Sequence, residues 1–314
     1  MHMSRTLLLL LAAALSVACS KDPEPQPVQP PEPASTPAAA SEDVHEFKIG
    51  ELSAFALRDG GFVFPNDAKT VAINRSSEDV AKLLEAAGVP STELSLSIQP
   101  LLIRSTDKVL LFDTGVGAGA GASGGKLVAS MNEADIDPSS VTDIFISHAH
   151  GDHIGGLVDA SGALVFANAT VRISGPEWDS LKAAGAQDAS RTALIQAVTP
   201  KVETFAPGAE LVPGVVQAVD IKGHTPGHSG YLITSAGESL LYIGDMAHHY
   251  IVSVQEPDWT IQFDGDAPTA QASRKQVIAD KAATGQRIYA VHFPFPGLGK
   301  FSQQADRYVW TPEQ

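Results

Sequence analysis

The sequence predicts an α/β domain in which two β-sheets carry helices on their outer faces. Three observations lead there. Short apolar, β-branched runs recur at 46–57, 96–104, 108–113, 143–147, 170–174, 215–221, 230–234, 239–243 and 287–291, each bounded by polar or Gly/Pro residues as strands are. Helix signals fall between these runs. Residues 77–87 carry Glu78 and Asp79 in the first turn, with Gly88 and Pro90 past the end; Ser174 precedes Pro176 as a cap precedes a first turn; and 270–284 stops at Gly285. The stretch 46–314 has the length of one α/β domain, and a hydrophobic share of 44% suffices for one large core. Ser235-Ala236-Gly237-Glu238 reads as a hairpin turn between two of the strands.

The N-terminus has a different character. Arg5 precedes Leu7-Leu8-Leu9-Leu10-Leu11-Ala12-Ala13-Ala14-Leu15, an apolar core of signal-peptide type, shorter than the ~20 residues a membrane span needs. Leu15-Ser16-Val17-Ala18-Cys19 resembles a bacterial lipobox, with Ser16 where Leu is usual. That resemblance implies cleavage and lipidation at Cys19; plain secretion is the rival. Residues 1–19 are therefore read as the export segment of a periplasmic or outer-membrane lipoprotein of a bacterium, its membrane partner being only the lipid at Cys19. Cys19 is the single cysteine, so disulfides contribute nothing. Residues 20–45 are rich in Pro, Ala and Glu, cannot build a core, and read as a tether ahead of the domain at 46–314.

A net charge of −15 argues against nucleic acid as a partner. The glycine-rich stretch 115–125 lacks the Gly-Lys-Ser/Thr ending of a phosphate-cradling loop, since Lys126 is followed by Leu127. It reads as a loop.

Chemistry concentrates in Ser147-His148-Ala149-His150-Gly151-Asp152-His153, directly after the strand-like run ending at Ile146. Imidazole and carboxylate are the ligands of zinc and similar ions. His148 and His150 sit two apart on extended chain and point the same way, while Gly151 lets the backbone turn to aim Asp152 and His153 at a second point. One short loop can serve two adjacent ions.

This pattern resembles the His-x-His-x-Asp-His signature of the metallo-β-lactamase superfamily. Further motifs follow in family order: Asp113 closing Val109-Leu110-Leu111-Phe112-Asp113, His228 ending His224-Thr225-Pro226-Gly227-His228, Asp245 after Leu240-Leu241-Tyr242-Ile243-Gly244, and His292 after Ile288-Tyr289-Ala290-Val291. Leu211-Val212-Pro213-Gly214, Ile261-Gln262-Phe263-Asp264-Gly265-Asp266, Arg274-Lys275 and His292-Phe293-Pro294-Phe295-Pro296 resemble the methyl parathion hydrolase branch, from about Phe47 onward.

The resemblance implies a four-layer αβ/βα sandwich with two mixed β-sheets. It implies two divalent metal ions, zinc foremost with Mn, Fe or Co open. One ion falls to His148, His150 and His228, the other to Asp152, His153 and His292, with Asp245 bridging; Asp152 and Asp245 are the carboxylates at the reaction centre. The implied activity is hydrolysis of esters, lactones or phosphotriesters by a hydroxide shared between the ions. Asp245 argues against a true β-lactamase, which has Cys or Ser there. Asp113 is expected to support a ligand, and His248, His249 and Trp178 to reach substrate. Homodimers are common in the branch. The alternatives are a noncatalytic zinc-binding lipoprotein on this fold and an iron-dependent persulfide dioxygenase. One departure stands out: the two loops that bring aromatic residues to the pocket in the branch correspond to 117–125 and 190–197, and neither has a Phe here. The expectation is an open site with little aromatic wall.

Overall fold

The computed structural model describes residues 41–118 and 124–313. The export segment, Cys19 and all but the last few residues of the tether expected at 20–45 lie outside the described residues. The first segment, 46–57, is two strands rather than one. β1 (Val44–Ile49) and β2 (Leu52–Leu57) pair antiparallel across a turn in which Gly50 sits at φ +55°, a backbone state that glycine adopts without steric cost. β3 (Gly60–Pro65) and β4 (Glu93–Ile98) form a separate two-stranded ribbon, with α1 (Ser77–Ala86) between them in sequence. The expected strand at 96–104 is broken at Gln99-Pro100, so that its second half becomes β5 (Leu101–Arg104).

The chain continues through β6 (Val109–Phe112), α2 (Leu127–Glu133), β7 (Asp143–Phe145), α3 (Gly151–Ile154), β8 (Thr170–Ser174), α4 (Gly175–Gly185), α5 (Ala189–Val198) and β9 (Val202–Phe205). The first sheet has the order β1-β2-β5-β6-β7-β8-β9, parallel from β6 to β9 and antiparallel elsewhere. The second sheet runs in chain order through β10 (Glu210–Val212), β11 (Val216–Asp220), β12 (Ser229–Ser235), β13 (Glu238–Tyr242), β14 (Arg287–Tyr289), β15 (Leu298–Gln304) and β16 (Arg307–Pro312). Only β13 and β14 are parallel in it, joined by a crossover holding α6 (Val252–Gln255) and α7 (Ala267–Thr284).

Side-chain alternation assigns the layers. Leu110 and Phe112 of β6, with Leu101 and Ile103 of β5, pack against Val216, Tyr231, Leu240 and Tyr289 between the sheets. Leu102 and Leu111 point the other way, onto Met131 of α2 and Leu181 of α4. On the far side, Leu241 and Ile288 meet Ile278 of α7. The result is helix, sheet, sheet, helix: the four-layer sandwich with two mixed sheets. Phe112, Phe145 and Tyr231 stack between the sheets with centroids 5.0–5.6 Å apart, giving the loops above them a stiff floor. Those loops all leave one edge. Asp113, the 147–153 segment, Asp245 and His292 follow β6, β7, β13 and β14, and the carboxyl ends of parallel strands are where α/β sheets gather ligand-binding groups.

Candidate metal centre

Seven side chains from this edge form two clusters: His148, His150, His224 and Asp245, and Asp152, His153 and His292. Ligand atoms 2.0–2.2 Å from a tetrahedral ion stand about 3.3–3.6 Å from each other. The observed separations, 3.0–3.6 Å, lie at or slightly below that spacing. In the first cluster His148 Nε2 and His224 Nε2 lie 3.0 and 3.1 Å from His150 Nδ1, and 3.4 and 3.3 Å from Asp245 Oδ2. In the second, His153 Nε2 and His292 Nε2 lie 3.6 and 3.5 Å from Asp152 Oδ2, and 3.2 and 3.1 Å from Asp245 Oδ1. Asp245 thus offers one oxygen to each cluster. Gly244 before it sits at φ +51°, and a Cβ there would come within 2.6 Å of His228 Nε2, so the turn that aims Asp245 requires glycine.

The donor set fits a pair of divalent cations. His153 Nε2 and Asp245 Oδ1 are buried without a hydrogen-bond partner, an expensive condition unless something else satisfies them. The rings are also oriented from behind, as ligating histidines are. His153 Nδ1 faces Asp113 Oδ2 at 2.7 Å, His224 Nδ1 faces Asp264 Oδ1 at 2.9 Å, and His292 Nδ1 donates to Ser97 O at 2.7 Å. Each bond puts the proton on Nδ1 and leaves the Nε2 lone pair aimed at the cluster. Asp113, fully buried, also accepts from Ser147 N, Ser147 Oγ and Tyr242 OH, so one carboxylate holds the His153 ring and the start of the 147–153 segment together. Its φ of +59° is a strained state for a non-glycine residue, of the kind that functional sites hold.

Electrostatics divide the rings. Burial drives His148 well below its usual value, with the neighbouring His153 adding to the effect; burial and His224 bring His150 down to about 4. Burial also opposes charge on His153, but Asp245, Asp152 and Asp113 outweigh it and raise that ring. Asp245 is held well below the carboxylate range, its burial overcome by His153, His292 and His148.

One expected ligand is displaced. His228 does not join the first cluster; His224 takes that place. His228 donates from Nδ1 to Ile221 O and accepts at Nε2 from Asp245 N, both at 2.9 Å, so neither nitrogen is free for an ion. Its part is to brace the Asp245 turn. Asp264 and Arg274, read in the sequence only as branch markers, prove to be the support of His224: buried Arg274 binds Asp264 Oδ2 at 2.9 Å and Met246 O at 2.7 Å.

The clusters form one wall of a cavity of about 390 Å³. It is lined by His150, Asp152, Asp245, His248 and His292 together with Phe62, Phe64, Leu96 and Phe263. This corrects the expectation of an open site poor in aromatic groups: the β3–β4 ribbon and the 263 loop supply rings that the two expected loops lack. Residues 190–197 lie within α5 instead. Trp178 is also corrected, because it packs in the core beneath the first sheet and does not line this cavity.

His248 and His249 face opposite ways. His248 Nε2 is 3.1 Å from Asp245 Oδ2, and neither of its buried ring nitrogens has a hydrogen-bond partner. His249 lines a separate, larger cleft of about 820 Å³ that contains none of the seven converging residues. Size does not mark the chemistry here. His249 Nδ1 accepts from Ile251 N and Val252 N at 3.3 Å, so the expectation that it meets substrate gives way to a structural role at the start of α6.

Burial holds the His249 pKa at about 4. Below its ordinary value of 6.5 the unfolded chain takes up a proton that the folded chain refuses, so the stability present above 6.5 is lost as the pH falls toward 4. His249→Asn keeps an acceptor for the two amides and removes the titration. Urea unfolding at pH 7.5 and pH 5 should show wild type losing up to roughly 2 kcal/mol more than this variant; equal losses would contradict the assignment.

Comparison with known proteins agrees with this geometry. The model of the metallo-beta-lactamase superfamily matches residues 97–292. AidC, a dizinc quorum-quenching lactonase solved with the product N-hexanoyl-L-homoserine, is 31% identical over 86% of this chain and 97% of that one, with a TM-score of 0.79. The hydrolase AbOPH of the β-lactamase superfamily is 25% identical over 88% and 99%, with a TM-score of 0.78. A probable metal-dependent hydrolase from Staphylococcus aureus, 21% identical over 85% and 100% with a TM-score of 0.70, shares the fold. No curated protein matches the chain. With the fold, the paired clusters and a family match over most of the domain in agreement, the chain belongs to the metallo-β-lactamase superfamily.

Proposed function

We propose that this protein is a binuclear, metal-dependent hydrolase that opens lactones or cleaves esters bearing an apolar acyl group. The observation that carries the reading is Asp245, buried and presenting one carboxylate oxygen to each cluster at the wall of a cavity faced by Phe62, Phe64 and Phe263. Two divalent cations held there would supply Lewis acidity and a water acidified to near-neutral pKa. The chain provides the remainder. Asp245 offsets the repulsion between two centres of positive charge. Asp113, Asp264 and Ser97 O fix the rings with their lone pairs inward. The phenyl wall receives an acyl chain and excludes water from it. His248, unpartnered in the cavity, is placed to donate a hydrogen bond to a substrate oxygen.

Lactones and esters rank ahead of phosphotriesters because a dizinc lactonase is 31% identical over nearly the whole domain. Two donor clusters favour a hydrolase over a one-ion dioxygenase or a structural zinc site, which closes at four ligands. The test is a panel of acyl-homoserine lactones, dihydrocoumarin, p-nitrophenyl esters and methyl paraoxon, with metal content measured before and after chelation. The expected result is highest kcat/KM on a lactone or ester, lost on chelation and restored by zinc. Two bound ions with no turnover of any compound would instead mark a binding protein.

A further inference from the structure

Helix α4 opens with Ser174-Gly175-Pro176-Glu177, the Ser-x-x-Glu pattern in which the glutamate ordinarily reaches back to the backbone N–H of the capping residue. Half of that device is present, since Glu177 N donates to Ser174 Oγ at 3.3 Å. The carboxylate has gone elsewhere. Its Oε1 accepts from Ala149 N at 2.8 Å, midway between His148 and His150. Its Oε2 accepts from Thr225 Oγ1 and Gly227 N, each at 2.8 Å, in the turn that begins at His224. Glu177 is 2% exposed, and among the described residues it forms no ion pair; three hydrogen bonds and the positive end of a helix are what compensate its charge. The turn packs closely on the helix start: Ser174 Oγ donates to Gly227 O at 2.7 Å, and a Cβ on Gly227 would come within 2.3 Å of Glu177 N.

We propose that Glu177 is a positioning residue for the first ion, a clamp that sets the separation of the His148–His150 loop from the His224 turn. Those loops come from different sheets, and their donor atoms converge within 3.0–3.1 Å at His150 Nδ1. Ser229 N bonds Ser147 O at 2.9 Å at one end of the junction, and the carboxylate closes the other. Capping α4 needs only Ser174. A buried acid that leaves the cap to bind one donor in one loop and two in the other is placed for the loops.

The proposal rests on the two-ion reading, and the experiment separates the two. Zinc is titrated against a chelating dye with wild type, Glu177→Gln and Thr225→Val, and the thermal midpoint of each metal-free protein is recorded. Glutamine keeps one acceptor oxygen and opposes an N–H to one of the amides, whereas valine removes a single hydroxyl donor. Glu177→Gln should weaken one of the two zinc sites by about 10–100-fold and leave the other within threefold. Thr225→Val should weaken the same site by less. Two sites as tight as wild type in both variants overturn the clamp, even where the metal-free midpoint falls, because that is the signature of a helix start alone. Wild type that takes up no zinc overturns the two-ion reading, and the clamp with it.

Discussion

Asp245→Asn is expected to lower kcat/KM by at least about 10³-fold, some 4 kcal/mol of transition-state stabilisation, and to reduce bound zinc from two ions towards one. Asparagine has one acceptor oxygen where Asp245 has two; Asp245 Oδ1 stands 3.1–3.2 Å from two histidine nitrogens and Oδ2 stands 3.1–3.4 Å from three. It also removes the buried charge that offsets two cations. The amide N–H₂ would be directed at the His148–His224 pair or the His153–His292 pair, donor facing the place of an ion. Turnover and zinc content are the measurements. A variant that keeps two ions and near-native kcat/KM would remove Asp245 from its bridging position and take the proposed mechanism with it.

Substitutions at the two histidines of the 224–228 turn should separate cleanly. His224→Ala should lower kcat/KM by about 10²–10³-fold and cost one ion, because its Nε2 is one of four donors in the first cluster. His228→Ala should leave both ions bound and cost stability instead. It strands Ile221 O and Asp245 N, two buried backbone groups, and opens a cavity behind the turn, at roughly 2–4 kcal/mol together. Thermal unfolding beside zinc titration distinguishes them. If His228→Ala loses an ion at an unchanged midpoint while His224→Ala keeps both, the ligand assignment reverts to the one that the sequence motif suggested.

That reversal shows where sequence ceases to be enough. The cluster at 148–153 is legible because its residues are neighbours in the chain and their spacing alone determines where they point. Asp245 and His292 are legible because each follows an apolar strand at the functional edge. In His224-Thr225-Pro226-Gly227-His228 two imidazoles compete, and motif resemblance favours the second. The strand rule favours the first, since β11 ends just before it, whereas His228 abuts β12 and is drawn into the core. The supporting acids were harder to see. Asp113 announces itself at a strand end, but Asp264 meets His224 from 40 residues away and Glu177 looks like an ordinary helix start. The aromatic wall could not be read at all. Phe64 and Phe263 approach to a 6.3 Å centroid distance only because the β3–β4 ribbon folds across the crossover loops, and no local pattern records such a meeting.

The division of donors has a consequence for how the protein lasts. The loop after β7 brings four of the seven, and the second sheet brings the other three, so each ion must tie remote stretches of polypeptide together. A cross-link that closes a long loop restrains the denatured chain most, and an ion bound only by the native arrangement adds its affinity to the folding equilibrium. Durability and turnover therefore draw on the same supply of metal. Starved of it, the enzyme would lose its resistance to proteolysis along with its activity, and a cell that limits the metal would be setting the protein's lifetime as well as its rate.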